Sequence, residues 1–264
     1  MNFLKRTIFL PVVLIGSAAF GQQNLFNVPS SDITLKGEPF FQQQVNLYPS
    51  EVQFNSTFCW GLGRRAEIGF NVLELNLRTD HTRPTLDTHA DDATPPVYPL
   101  YLLNFQKAFV LNEIFKVGIG TQYGISKGSH PVNYSYVNLV TAIPSIHTKV
   151  IAGLYGGTNS YLGPETRWPA LGGGQPLGYQ VGVEMQLIPE KFSLIAEDIS
   201  GKHSLGEASV GAAYFLSPSW ILSGAYLHAN SNSGENAVVA EFTYSPSSKV
   251  HLRIFRHGHR TRLS

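Results

Sequence analysis

Apolar and polar side chains alternate strictly along many segments of this chain, and no other feature of the sequence constrains its fold as much. Between Phe115 and Ser126, every odd position carries an apolar, aromatic or threonine side chain, whereas every even position carries glycine, lysine, glutamine or serine. The stretch from Tyr179 to Leu187 repeats the pattern. Successive side chains of a β-strand point to opposite faces, so these segments are predicted to be strands with one apolar and one polar face.

The chain contains twelve such candidate strands, and their connections differ in length between the two ends. Connections after even-numbered strands are short, whereas most of those after odd-numbered strands are longer, as at 79–97 and 159–177; the tight turn at 49–50 is an exception. Short turns on one side and long loops on the other are typical of bacterial outer-membrane barrels, whose turns face the periplasm. The predicted strands are residues 40–48, 51–61, 66–78, 98–111, 114–126, 133–144, 147–158, 178–188, 191–200, 206–216, 220–229 and 236–245.

The N-terminus has the features of an export signal. Lys5 and Arg6 precede an uncharged run at 7–15, and cleavage is expected after Ala19 or Gly21. The run is too short to cross a bilayer as a helix, which needs about 20 apolar residues. The mature chain is therefore expected to be exported, and the barrel pattern places it in the outer membrane.

Composition agrees with a membrane barrel. Charged residues make up 14% of the chain, against about 25% in average soluble domains. The single cysteine, Cys59, excludes an internal disulfide, and the net charge of +1 gives no reason to expect a nucleic-acid partner. A secreted, soluble β-sandwich or barrel, which also alternates, remains the alternative.

Aromatic residues lie close to the short turns or to the end of the last strand. Such side chains favour the membrane–water interface, because their rings are apolar and their edges tolerate water. They are predicted to form an aromatic girdle at the periplasmic side. The residues are Phe58, Trp60, Phe109, Phe115, Phe192, Tyr214, Trp220, Phe242 and Tyr244.

The third strand changes parity. Its apolar residues occupy even positions up to Val72 and odd positions from Leu73 onward. A β-bulge near Val72–Leu73 would restore the register by adding one residue. Without it, Glu74, Asn76 and Arg78 would face lipid, where a charge near the bilayer centre costs up to ~2–4 kcal/mol. We therefore predict the bulge, or that the strand has left the bilayer at this point.

Three stretches near the N-terminus carry a resemblance: residues 24–34 (NLFNVPSSDIT), 40–44 (FFQQQ) and 55–63 (NSTFCWGLG). They look like a group of largely uncharacterised bacterial outer-membrane β-barrel proteins. They are also loosely similar to the barrel family linked to phenol-degradation operons, which is thought to move small molecules. The resemblance covers the first quarter of the chain and implies a small outer-membrane barrel of a Gram-negative bacterium. It implies no active site.

The polar face of the strands defines the candidate lumen. With a hairpin closing at 189–191, Glu184 is expected to face Glu197 directly, and like charges in that position are unfavourable unless a cation intervenes or one carboxyl holds a proton. We interpret the pair as a cation-attracting constriction. The alternative is a pair that is solvated by water or neutralised by a lysine. A shift of two residues in register would abolish the direct pairing. The predicted lumen or selectivity residues are Glu184, Glu197, Glu241, Lys116, Gln122 and Gln180. The lumen is either a narrow aqueous path or is plugged by residues 22–38 or by loop 159–177.

Two other patterns suggest chemistry only weakly. Loop 79–97 contains histidine and aspartate without a fixed ligand spacing, so a solvated surface loop is favoured over a metal site. His228 precedes Ser231 by three residues, whereas outer-membrane lipid hydrolases place the serine two residues after the histidine. A polar hairpin loop is the favoured interpretation.

The sequence thus predicts an all-β, transmembrane antiparallel β-barrel of about 12 strands in the outer membrane. Its parts are a signal peptide at 1–21, a periplasmic N-terminal segment at 22–38, the barrel at 39–246 and a basic C-terminal tail at 247–264. The expected function is a narrow channel or binding barrel for small solutes, without catalysis, cofactor or metal. The alternatives are an accessory barrel with an occluded lumen, which partners another envelope protein, and a lipid hydrolase. The expected partners are outer-membrane lipid, small solutes and that envelope protein.

Overall fold

The structure is a computed structural model that describes residues 24–78, 83–88, 97–112, 114–126, 131–162, 177–231 and 234–246. Within these ranges the chain is almost entirely β, and twelve strands match the predicted ones to within two residues at each end. The elements are β1 (Pro39–Leu47), β2 (Glu51–Gly63), β3 (Ala66–Arg78), β4 (Thr85–Asp87), β5 (Leu100–Val110), β6 (Phe115–Ser126), β7 (Pro131–Ile143), β8 (Thr148–Gly157), α1 (Asn159–Leu162), β9 (Leu177–Ile188), β10 (Phe192–Ile199), β11 (Glu207–Ser217), β12 (Trp220–Ala229) and β13 (Ala237–Tyr244). The predicted signal peptide and basic tail lie outside the described residues.

Twelve of the strands close into one antiparallel barrel. Each strand pairs with its neighbour along the chain, and β1 pairs with both β2 and β13, which joins the two ends of the sheet. The short strand β4 pairs only with the end of β3 and stands outside this closed ring. The predicted fold class is confirmed, and the β-sandwich alternative is wrong, because a sandwich has two separate sheets.

The connections between strands fall into two sets, one at each end of the barrel. The turn end carries the connections 64–65, 111–114, 144–147, 189–191 and 218–219, together with the start of β1 and the end of β13. The loop end carries all the others, including the longest. This is the predicted asymmetry of short turns opposite long loops.

The barrel is apolar outside and polar inside. Large hydrophobic side chains such as Leu103 and Val210 are more than 60% exposed on the outer wall, whereas glutamine, asparagine and glutamate side chains are buried within. Seven of the nine predicted girdle residues are exposed near the turn end, and Phe192 and Tyr244 are partly exposed. Such an apolar outer wall is the surface that a bilayer covers. Among the described helices, none is long and apolar enough to cross a membrane.

The predicted bulge in β3 is present. Phe54 of β2 pairs with Leu75, but the next pair joins Ser56 to Val72, so β3 contains one extra residue. Glu74 takes up the extra length with a φ of 55°, and its N–H donates to Asn55 Oδ1 at 2.7 Å. Since the bulge restores the register, Glu74 and Asn76 are buried inside the barrel rather than exposed to lipid.

The predicted pairing of Glu184 with Glu197 is wrong. Glu184 lies opposite Ile195, and Glu197 lies opposite Gly182. Two effects combine: the turn at 189–191 sets Phe192 opposite Ile188, one residue from the expected register, and a bulge beside it, where Leu187 of β9 is the extra residue, adds one more. The two strands are therefore shifted by two residues relative to the expected register, and the direct carboxylate pair does not form.

Candidate functional site: a lumen closed by the N-terminal segment

Residues 24–34 lie inside the barrel, and the exposed residues 35–38 join them to β1; we call the whole segment 24–38 the N-terminal plug. It enters at the turn end, where Gly37 N donates to Gly61 O at 2.8 Å, just before β1 begins. It ends in a tight turn in which Leu25 N donates to Val28 O at 2.9 Å. The side chains of Leu25, Phe26 and Val28 are at most 1% exposed. The segment predicted to be periplasmic is thus enclosed by the strands, which is the plugged alternative.

Glu197 of β10 holds the innermost turn of the plug. Its carboxylate accepts hydrogen bonds from the backbone N–H groups of Phe26 at 3.1 Å, Asn27 at 2.8 Å and Val28 at 3.0 Å. Glu197 therefore satisfies three buried donors of a segment that has no regular secondary structure.

A group of four charged side chains fixes the middle of the plug, and we call it the ionic cluster. Asp32 of the plug forms ion pairs with Lys116 of β6 and with Lys149 of β8, the latter at 2.9 Å. Lys149 also lies 2.9 Å from Glu184, its direct neighbour on β9. The cluster contains two positive and two negative charges, so it is electrically balanced within the lumen.

Further contacts join the plug to most of the remaining wall. Thr34 N donates to Glu67 of β3 at 2.7 Å, and Asn138 of β7 donates to Pro29 O at 2.8 Å. Glycines provide the space at close approaches: a Cβ at Gly118 of β6 would overlap Ser31. The plug therefore fits this lumen specifically. Wall residues pair with its charge, form hydrogen bonds with its backbone and leave space for its side chains.

All six predicted lumen residues face the interior. Four of them are at most 6% exposed, and the other two, Lys116 and Gln122, are partly buried. Gln180 accepts from Tyr134 Oη at 2.7 Å and donates to Asn138. Glu184, Glu197 and Lys116 contact the plug or the ionic cluster instead of forming a constriction with Glu241. Their roles in ion selectivity stay a prediction.

The loop end of the lumen contains an apolar and aromatic core. Tyr134 stacks on Tyr155 with ring centroids 5.4 Å apart, and Tyr161 of the short helix α1 packs edge-on against Tyr134. The plug residues Leu25, Phe26 and Val28 belong to the same core. This core lines the lumen at β5, β7, β8 and β10 to β13, whereas the inner faces of β1, β2 and β3 are mainly polar.

A loop histidine packs against this core, and its burial leads us to expect that the stability of the loop depends on pH. His203, in loop 200–206, lies with Nε2 2.6 Å from Tyr155 Oη and accepts from Leu205 N. Burial lowers the pKa of His203 from 6.5 to about 4, so the folded loop favours neutral imidazole. As the pH falls from about 6.5 towards 4, the unfolded form gains a proton that the folded form does not. The loop should then lose up to roughly 3 kcal/mol of stability.

Amide hydrogen exchange of residues 200–206 measures this effect. Exchange protection should fall between pH 6.5 and 4.5 in the native chain, and the fall should be smaller in His203→Gln. An equal fall in both proteins would assign the effect to another group.

A polar cleft runs beside the aromatic core, between the plug and strands β1, β2, β3, β5 and β6. It consists of two adjoining cavities of about 70 Å³ and about 30 Å³. Asn24, Thr57, Asn71 and Gln122 line both. The larger cavity reaches the loop end at Tyr48 and Ser204, and the smaller one extends to Glu67 near the turn end.

The sequence did not reveal Asp32 or Lys149 as lumen residues. Lys149 shares its strand face with Ile151 and Tyr155, which are buried in the inner core, so the inner face of β8 does not read as polar. Asp32 lies in a segment without periodicity. The structure shows what the sequence did not: six glutamates but one lysine are buried among the described residues. The buried carboxyl groups therefore need other hydrogen-bond or charge partners.

The structure describes only parts of the two loops for which the sequence weakly suggested chemistry, 79–97 and the hairpin loop after His228. Within the described ranges, no group of three or more His, Cys, Asp or Glu side chains is arranged to hold a metal ion. Most of loop 79–97 lies outside those ranges, although Asp87 is seen 3.0 Å from Arg78. His228 Nδ1 lies 2.9 Å from Asn236 Oδ1 in the hairpin loop that contains Ser231.

Comparisons with known proteins support the fold and leave the sequence family open. No protein-family model matches the chain, and no curated protein matches its sequence. Among solved structures, the chain is similar to the KdgM porin, with a TM-score of 0.53, 8% identity and coverage of 78% of this chain and 98% of that one. KdgM in complex with disordered oligogalacturonate gives a TM-score of 0.52 with the same identity and coverage. The NanC porin gives 0.52, 10% identity and coverage of 79% and 100%. The architecture is therefore that of the outer-membrane β-barrel porins.

Proposed function

We propose that this protein is an outer-membrane barrel of a Gram-negative bacterium that passes small polar solutes, and that the N-terminal plug closes its lumen at rest. The observation that carries the proposal is the plug itself, which is held by polar and ionic contacts beside a polar cleft. Hydrogen bonds and ion pairs of this kind can exchange with water, whereas a lumen filled only by apolar packing would have nothing to gain from hydration. The porin architecture and the resemblance of residues 24–63 to barrels thought to move small molecules support the same proposal.

The charge of the lumen favours some solutes over others. The cleft is lined by Glu67, Glu74 and Glu207, and among the described residues no lysine, arginine or histidine lines either cavity. The two lysines of the ionic cluster are neutralised by Asp32 and Glu184. Small uncharged or cationic solutes should therefore pass more readily than anions, because an anion would meet carboxylates without a compensating charge.

An accessory barrel with an occluded lumen is the second candidate. The number of wall contacts to the plug favours it, since a permanently closed barrel needs no easily broken contacts. Such a barrel would act through its loops on another envelope protein. The two candidates differ in one measurable property, which is solute passage by the complete chain.

Solute uptake by vesicles tests the proposal. The chain from residue 22 onward is refolded into lipid vesicles, and their swelling is followed with small neutral, cationic and anionic solutes. We expect swelling above that of empty vesicles for the neutral and cationic solutes, and slower swelling for the anions. Swelling no faster than that of empty vesicles for every solute would overturn the passage role and favour the occluded barrel.

A further inference from the structure

The polar cleft has the composition of a binding site for an uncharged solute. Nine of the nineteen residues that line its larger cavity are asparagine or glutamine, and these side chains both donate and accept hydrogen bonds. Many of them are fixed by one another: Gln44 donates to Asn46 at 2.9 Å, and Asn46 donates to Gln53 at 2.9 Å. The wall is therefore an ordered set of amides rather than a row of mobile side chains.

Two amide groups in this wall have an unused hydrogen-bonding atom. Gln42 is 3% exposed, and its Oε1 accepts from Asn24 at 3.2 Å, but its Nε2 has no partner in the described part of the chain. Gln122, across the cleft on β6, has an Oε1 that is buried without a partner there. A buried polar atom without a partner is costly, so a donor and an acceptor on the same cavity indicate a ligand that supplies the complementary groups.

Size and charge narrow the class of ligand. A cavity needs roughly 10–15 Å³ to hold one water, so the larger cavity of about 70 Å³ has room for a few water-sized groups. Glu74 and Glu207 line the cavity, and no basic residue in the described part of the chain does, which disfavours an anion. Tyr48, Tyr134 and Tyr161 also line the cavity and provide apolar surface for a short carbon chain.

We propose that the polar cleft binds one small uncharged, hydroxyl-rich solute of about the size of glycerol, with Gln42 Nε2 donating to one hydroxyl and Gln122 Oε1 accepting from another. The inference rests on the proposed passage of solutes and names their class. A polyol fits because each hydroxyl both donates and accepts, which matches a wall of amides better than a purely apolar or ionic solute does.

Saturation-transfer NMR tests the site directly. Glycerol and glycerate, which have similar size but differ in charge, are titrated separately into the refolded chain from residue 22 in detergent. We expect saturation transfer to glycerol and little to glycerate. In the double variant Gln42→Met and Gln122→Met, glycerol binding should weaken roughly tenfold, because two hydrogen bonds to the solute are lost.

The neighbouring residue provides the matched control. Gln43 lies on the same strand but on the other face, where its amide bonds to Gln44 O, Asn55 O and Ser56. Gln43→Met should leave glycerol binding unchanged. No transfer to glycerol, equal transfer to glycerate, or equal binding by the double variant would overturn the site. Vesicle swelling is independent of this result, so a barrel that passes solutes without binding glycerol would lose only the inference.

Discussion

Deleting residues 24–36 should convert the closed barrel into an open pore, which is the largest change in function that any variant of this chain is expected to show. The deletion removes the backbone that Glu197 holds and the Asp32 side chain that pairs with both lysines. Water then hydrates the remaining wall charges, and the polar cleft becomes continuous from the loop end to the turn end. Single-channel recording in a planar bilayer should show long-lived open current for the deletion and brief or rare openings for the complete chain.

A substitution in the wall gives the same test without shortening the chain. A valine at Gly118 would occupy the space of Ser31, so Gly118→Val should expel the plug and produce open current. Gly224→Val is the matched control, because Gly224 lies on the outer wall, where an added Cβ meets only an ordinary contact with Val239. If a folded Gly118→Val barrel conducts no more than the control, the plug does not close the lumen.

Lys149→Met should cause the largest loss of stability. Lys149 is 2% exposed and lies 2.9 Å from both Asp32 and Glu184, so its loss leaves two buried carboxylates with one remaining lysine between them. Removing one partner of a buried ionic group typically costs about 3–5 kcal/mol. Urea unfolding of the refolded barrel, followed by tryptophan fluorescence, should show a clearly lower midpoint.

The controls for Lys149 follow from charge balance. Lys107→Met removes a lysine from the outer wall, where its Nζ lies 5.5 Å from the Phe109 ring centroid, and should cost far less. The double variant Lys149→Met with Glu184→Gln restores balance, since Asp32 then pairs with Lys116 alone, and should recover much of the lost stability. Equal midpoints for Lys149→Met and Lys107→Met would show that the ionic cluster contributes little.

Local periodicity was sufficient to predict the barrel, because apolar and polar side chains alternate along most of its strands. The alternation from Phe115 to Ser126 and the parity change near Val72 depend only on neighbouring residues, and both were interpreted correctly. The Glu184–Glu197 pairing failed because the turn at 189–191 and the extra residue at Leu187 each move the later pairs by one residue. Register depends on turn geometry, which the sequence of a three-residue connection does not determine.

The content of the lumen was harder to predict, for a different physical reason. Inward positions such as Ile151 and Tyr155 belong to an apolar core that also contains plug residues, so they break the simple rule of a polar interior. The plug itself has no periodicity, and its partners are distant in sequence: Asp32 and Lys149 are 117 residues apart. Only the three-dimensional closure of the sheet brings such residues together.

The position of the plug links the seam of the barrel to its opposite wall. The plug is continuous with β1, and the sheet closes where β1 pairs with β13, the last strand of the barrel to be synthesised. From this seam the plug reaches Lys116 of β6, Lys149 of β8 and Glu197 of β10. A movement of β1 at the seam is therefore transmitted to the far side of the barrel.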